Sequence, residues 1–213
     1  IYRIATKLKG EYSIQLIAQI GSMNTKDTIE CGQRAYDLGI EKLASITPLY
    51  YTYTELDILN YYEEIVKNTH GDIYVYNNPK TSNFRFKFDF VKQLQSIGIK
   101  GMKDSSLDIE FISSVFYDKV MNDLDFDISI GTSTGWLSYQ EMGILSMIAG
   151  MCNYAPEIIV NMYKASISGD KDNAVKYYSI MMDLNRKIKK VDSVVLSTSA
   201  ISVRGFKEAY PRK

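Results

Sequence analysis

Short apolar runs alternate with longer amphipathic stretches along almost the whole chain, and no other feature constrains its folding so strongly. An apolar run of about four to eight residues closed by Gly, Pro, Asn or Ser reads as a buried strand, and the stretch after it reads as a covering helix. Repetition of that unit predicts a parallel α/β sheet, because each helix carries the chain back to the edge where the next strand starts. Strands are expected at residues 14–20, 42–46, 73–76, 99–103, 126–130 and 147–152. Helices are expected at 25–38, 55–67, 89–95, 106–116 and 137–145, then at 157–168, 170–189 and 192–204. The opening residues, from Ile1 to Leu8, read as the middle or end of a helix.

Two architectures accommodate this order. Six strand–helix units leave a (β/α)8 barrel two units short, and an open doubly wound sheet is the rival. A doubly wound nucleotide-binding sheet advertises itself with a Gly-rich turn after its first strand, and Gly21-Ser22-Met23-Asn24 is not one. The helix-like start favours a barrel read from its third unit onward, in a fragment of a longer polypeptide.

Charge excludes several functions. Lysine plus arginine equals aspartate plus glutamate at 25 each, which supplies no electrostatic attraction to nucleic acid or an acidic membrane. The apolar runs fall short of the roughly 18 residues of a membrane span, and the start lacks a signal-peptide pattern. Cys31 and Cys152 lie far apart and read as free thiols of a reducing compartment. A cytoplasmic, soluble protein is expected.

In parallel α/β folds the working residues stand at the carboxyl ends of the strands. Here those ends hold hydroxyls, small residues, tyrosines and one lysine, without a carboxylate cluster or a phosphate-cradling loop. His70 is the single histidine and sits in a Thr69-His70-Gly71 turn, so histidine acid–base work and a serine triad are disfavoured. Strand alternation puts Ile99, Gly101 and Lys103 on one face. A Lys103 buried without a carboxylate partner would be a nucleophilic amine, able to attack a carbonyl; the alternative is a head group that escapes to solvent. Tyr76 ends the preceding strand, about 5 Å from Lys103 across the ladder, where a phenol can relay the protons that imine chemistry moves.

These residues carry a family resemblance. Tyr76-Asn77-Asn78-Pro79, followed by Gly101-Met102-Lys103-Asp104-Ser105-Ser106, resembles the family of dihydrodipicolinate synthase, N-acetylneuraminate lyase and 2-keto-3-deoxygluconate aldolase. Gln19-Ile20-Gly21-Ser22-Met23-Asn24 is similar to the family's third strand and turn, Thr47-Pro48-Leu49-Tyr50-Tyr51 to its fourth, and Asn153-Tyr154-Ala155-Pro156 to the loop after its eighth. The resemblance implies a (β/α)8 TIM barrel with a C-terminal helical extension, the first two β/α units missing here. Barrel units would occupy 1–168 and the extension 169–213. It also implies a homotetramer acting on a small-molecule keto acid and an aldehyde, with no metal or organic cofactor beyond the imine on Lys103.

By the same resemblance Lys103 matches the imine-forming lysine and Tyr76 the proton-relay tyrosine. Tyr50 matches a tyrosine that completes a relay in a neighbouring subunit's site, and Ile148 a position whose backbone borders bound pyruvate. The loop that holds the pyruvate carboxylate lies upstream of residue 1. Departures from the pattern bear on substrate. Thr81 stands where dihydrodipicolinate synthases carry a carboxylate-binding arginine, with Lys80 and Arg85 nearby. Gly131 is followed by Thr132-Ser133-Thr134 where sialic acid lyases place Asp-Glu. Lys103-Asp104-Ser105 is closest to the Lys-Asp-Thr of 2-keto-3-deoxy sugar acid aldolases, with Ser105 offering a hydroxyl to the sugar chain. Asn83 replaces a usual glycine. A 2-keto-3-deoxy sugar acid lyase is the expected activity. Its rivals are a dihydrodipicolinate synthase, an N-acetylneuraminate lyase and a catalytically silent keto-acid-binding barrel.

Overall fold

The computed structural model describes residues 1–188 and 199–205. It divides into two compact units, Ile1–Ser129 and Ile130–Lys213.

The first unit is built on parallel strands: β1 (Ile17–Gln19), β2 (Lys42–Ile46), β3 (Asp72–Asn77) and β4 (Gly101–Asp104), in that spatial order. β5 (Asp127–Ile130) lies beside β4 and runs to the boundary, with Asp127 N–H donating to Lys100 C=O at 2.9 Å. The helices are α1 (Tyr2–Tyr12), α2 (Thr25–Asp37), α3 (Glu55–Asn68), the single turn α4 (Pro79–Ser82), α5 (Phe88–Ser96) and α6 (Ile109–Met121). α1 realises the helix read at the start of the chain.

Each strand has two unlike faces, as the two-residue period demands. Leu43, Ser45, Ile73, Val75, Asn77, Met102 and Asp104 are buried on one face. Lys42, Ala44, Ile46, Tyr74, Tyr76 and Lys103 alternate with them on the other face and are half-buried. Ile58, Tyr61, Tyr62 and Ile65 of α3 join the core, and Tyr62 Oη donates to Ser45 C=O at 3.0 Å.

The second unit holds α7 (Trp136–Met142), a 3-10 turn (Gly150–Asn153), α8 (Pro156–Ile167), α9 (Lys171–Ile188) and a helical stretch at 199–203. Trp136, Met151, Ile159, Met162 and Met181 form its core. Part of the helix expected at 192–204 lies outside the described residues.

Three expectations need correction. β1 starts at Ile17 instead of residue 14, because Ser13 caps α1 in a left-handed conformation (φ 51°) and Ile14 is still exposed as the chain turns. The strand expected at 147–152 is a single bridge between Ile130 and Met147. Beyond Ile148 the amides turn to local carbonyls, Cys152 N–H to Ala149 and Tyr154 N–H to Met151 (both 3.1 Å), which withdraws them from any ladder. α6 begins at Ile109, not 106, because Asp108 is its N-cap, accepting from Phe111 N–H at 3.0 Å.

Candidate active site

Tyr76 and Lys103 are register partners on β3 and β4 and share the half-buried face. The Lys103 amine lies 4.1 Å from the centroid of the Tyr76 ring. That contact holds the amine over a π face, and among the described residues no carboxylate forms an ion pair with it.

The Tyr76 hydroxyl accepts from Ser105 Oγ at 3.3 Å and from Asn78 Nδ2 at 3.2 Å. Two donors converging on one phenol oxygen leave its own O–H free to be handed to, or retrieved from, a third group. The Ser105–Tyr76 contact is not visible in a linear reading, which assigns Ser105 to substrate alone. It arises because Ser105 follows β4 directly and its N–H donates to Asn77 C=O at 2.8 Å, drawing the two strand ends together.

The opposite face carries a buried polar pair directly beneath. Asn77 Nδ2 donates to Asp104 Oδ1 at 2.6 Å, and Asn77 Oδ1 accepts from Phe86 N–H at 3.2 Å. Asp104 Oδ2 accepts from Ser106 N–H (3.2 Å) and Ser106 Oγ (2.9 Å). Burial pushes the Asp104 carboxyl above the usual aspartate value, opposed by the bonds from Ser106 and Asn77.

The remaining candidates are placed as follows. Thr81 is exposed on α4, and its hydroxyl donates to Asn78 C=O at 3.2 Å, within its own turn. Arg85 pairs with Asp108 at 3.2 Å. Asn83, standing where the resembled family has glycine, adopts φ 53°, a left-handed conformation that asparagine tolerates better than most residues. Tyr50 is 79% exposed, has φ 86°, and packs its ring edge-on against Tyr51 at 4.9 Å. No hydrogen bond joins Tyr50 to Lys103, Tyr76 or Ser105 among the described residues. Gly131 and Ile148 belong to the second unit. There Ile148 N–H donates to Ile130 C=O at 2.8 Å, and Thr132 and Thr134 hydroxyls meet at 2.9 Å. His70 is exposed in its turn, as expected.

Among the described residues no group of three or more His, Cys, Asp or Glu could hold a metal ion, and no helix is long and apolar enough to cross a membrane.

Comparison with known proteins bears on the fold and the family. A DapA-like lyase of Halobacterium salinarum is 22% identical over 207 residues, covering 96% of this chain and 67% of the relative. The crystal structure of N-acetylneuraminate lyase from Mycoplasma synoviae superposes with a TM-score of 0.87 at 22% identity, covering 100% of this chain and 70% of the other. That of 2-keto-3-deoxygluconate aldolase from Sulfolobus sulfataricus, in complex with D-KDPG, superposes with a TM-score of 0.84 at 21% identity, covering 99% and 71%. These likenesses establish the fold as that of the TIM-barrel lyases. The model of the dihydrodipicolinate synthetase family matches residues 3–213, and the chain therefore belongs to that family of carbon–carbon lyases.

Proposed function

We propose that the protein is a Schiff-base (class I) lyase that reversibly cleaves a 2-keto-3-deoxy sugar acid into pyruvate and an aldehyde. The observation that carries this reading is the Lys103 amine 4.1 Å from the Tyr76 ring centroid, on a phenol whose oxygen already receives Ser105. Lys103 Nζ attacks the C2 carbonyl, and the carbinolamine hydroxyl takes the Tyr76 phenol proton and leaves as water, giving an iminium and a Tyr76 phenolate. The C3–C4 bond breaks as Tyr76 takes the C4 hydroxyl proton, and its electron pair moves into the iminium to give an enamine. The aldehyde departs, C3 is protonated, and water releases pyruvate from Lys103. The imine serves as the electron sink, so the scheme uses no metal or organic cofactor.

Ser105 is assigned to substrate hydroxyl binding as well as to Tyr76. Thr81, Gly131 and the backbone at Ile148 are assigned to substrate binding, and Tyr50 to a neighbouring subunit's site in a cytoplasmic homotetramer. The strained, outward-facing backbone of Tyr50 supports that last role. A sugar-acid substrate is preferred over aspartate semialdehyde because Thr81 supplies no cation and Arg85 is engaged by Asp108.

The test is mass spectrometry of the full chain after treatment with pyruvate and sodium borohydride. A reduced adduct is expected on the peptide containing Lys103 and is expected to vanish in Lys103→Ala. A folded chain without an adduct overturns the reading. Pyruvate release from 2-keto-3-deoxy acids should outpace condensation of pyruvate with aspartate semialdehyde, and the reverse order would identify a synthase.

A further inference from the structure

We propose that Asn77 and Asp104 form a positioning pair, a buried clasp on the helix-packed face of the sheet that sets the Lys103 amine against the Tyr76 phenol on the other face. The inference rests on the reading of Lys103 and Tyr76 as the imine-forming pair.

The placement is specific. Asn77 follows Tyr76 and Asp104 follows Lys103, and the two are themselves register partners. Consecutive strand residues point to opposite faces, so a side-chain clasp one residue onward fixes the lateral spacing and height of the pair before it. Asn77 is fully buried and Asp104 is 2% exposed. Val75 and Met102, the preceding register pair on the same face, are apolar. Packing alone would have been served by two more apolar side chains, because a buried carboxylate is costly unless its bonds are complete. The charge identified beside Asp104 is that of Asp108, which is of like sign.

The bonds are complete in one protonation pattern. Both Asp104 oxygens accept, one from Asn77 and the other from Ser106, so the ionised carboxylate fits. Asn77 uses its amide in both directions, donating to Asp104 and accepting from Phe86. The clasp therefore ties β3, β4 and the loops after both strands to one another. Neither residue touches the reacting atoms; both act through the residue before them.

The pattern also defines its own test. Asn77→Asp alone sets two carboxylates face to face, and Asp104→Asn alone turns an amide N–H2 toward a donor. The exchange N77D/D104N restores every bond. The carboxylate moved to position 77 accepts from Phe86 N–H and from the amide moved to position 104, and the oxygen of that amide accepts from Ser106. Borohydride trapping of pyruvate on the full chain, followed against time and pyruvate concentration, separates the rate of imine formation from half-saturation. Each single substitution is expected to slow trapping at saturating pyruvate by about 10-fold or more, with half-saturation changing less than about 3-fold. The exchange is expected to return the rate to within about 3-fold of the parent, the non-additivity expected of two residues in direct contact. The little-changed half-saturation of the folded singles separates positioning from a loss of general stability.

Singles that trap at the parental rate overturn the proposal. So does an exchanged chain that folds and remains slow, or one that does not fold. If the singles do not fold, a folded, fast exchange variant still supports the clasp. A parent chain that forms no adduct is a different failure, since it removes the imine reading and this proposal with it.

Discussion

At the residue scale, Gly101 shows how little room surrounds the candidate lysine. A Cβ there would lie 2.5 Å from the Asp127 carbonyl oxygen and 2.9 Å from Tyr74 Cδ1. The Tyr74 hydroxyl donates to Asp127 Oδ2 at 3.0 Å, and Lys42 approaches the same carboxylate at 3.6 Å. The ring that must yield is thus held at its far end, and the backbone on the other side cannot yield cheaply. Gly101→Ala is expected to destabilise the chain by about 1–3 kcal/mol, as overpacking does, seen as a lower denaturant midpoint at unchanged slope. Because Lys103 stands two residues further along the same face, imine trapping should weaken as well. Alternation in the sequence placed Gly101 and Lys103 on one face correctly. The steric reason for glycine came from Tyr74 and Asp127, which are distant in sequence and supply no local signal.

At the scale of elements, α3 sets the packing behind β2 and is itself set by its first turn. Thr54 Oγ1 accepts from Asp57 N–H at 3.2 Å, while Asp57 Oδ2 accepts from Thr54 N–H at 2.9 Å, a reciprocal capping box. Further along the helix, Tyr61 meets Ser45 Oγ at 2.7 Å and Thr28 Oγ1 at 3.2 Å, a buried hydroxyl chain between β2, α2 and α3. Thr54→Ala should cost about 1 kcal/mol, measurable as a shift in thermal midpoint. The hydroxyl of Thr54 holds the Asp57 carboxyl below its ordinary value. A depressed carboxyl contributes stability above its unfolded value and loses it on acidification, so the difference between parent and variant should shrink as Asp57 is protonated. The capping box at Thr54 emerged with the structure, while α2, α3, α5 and α8 were legible in the chain to within a residue or two. The strand expected at 147–152 was not. Its apolar run carries helix-, strand- and turn-compatible residues alike, and hydrogen bonding to local carbonyls decided the outcome.

At the scale of the whole molecule, the sheet-based first unit and the helical second unit are organised around different cores. The second depends on Trp136, fully buried with its indole N–H donating to Ser166 Oγ at 2.9 Å and its ring 5.2 Å from that of Tyr163. Trp136→Ala is expected to cost about 3–5 kcal/mol, through the cavity and the lost partner of Ser166. Far-ultraviolet circular dichroism of parent and variant during unfolding would register it, since the substitution removes the chain's single tryptophan and leaves the helical signal as the shared probe. By itself the sequence determined the α/β class, the places of five of the six expected strands along the chain and the adjacency of Tyr76 and Lys103 on neighbouring strands. Each of these follows from short-range periodicity, and register across a parallel ladder propagates from it. The sequential order of the strands in the sheet came from the structure. Only the tertiary structure decided that Ser105 reaches the Tyr76 hydroxyl, that Asn77 and Asp104 close beneath the pair, and that Arg85 is engaged by Asp108. Those contacts join residues 23 to 29 positions apart through side-chain reach and burial. Neither quantity exists until the strands are laid side by side.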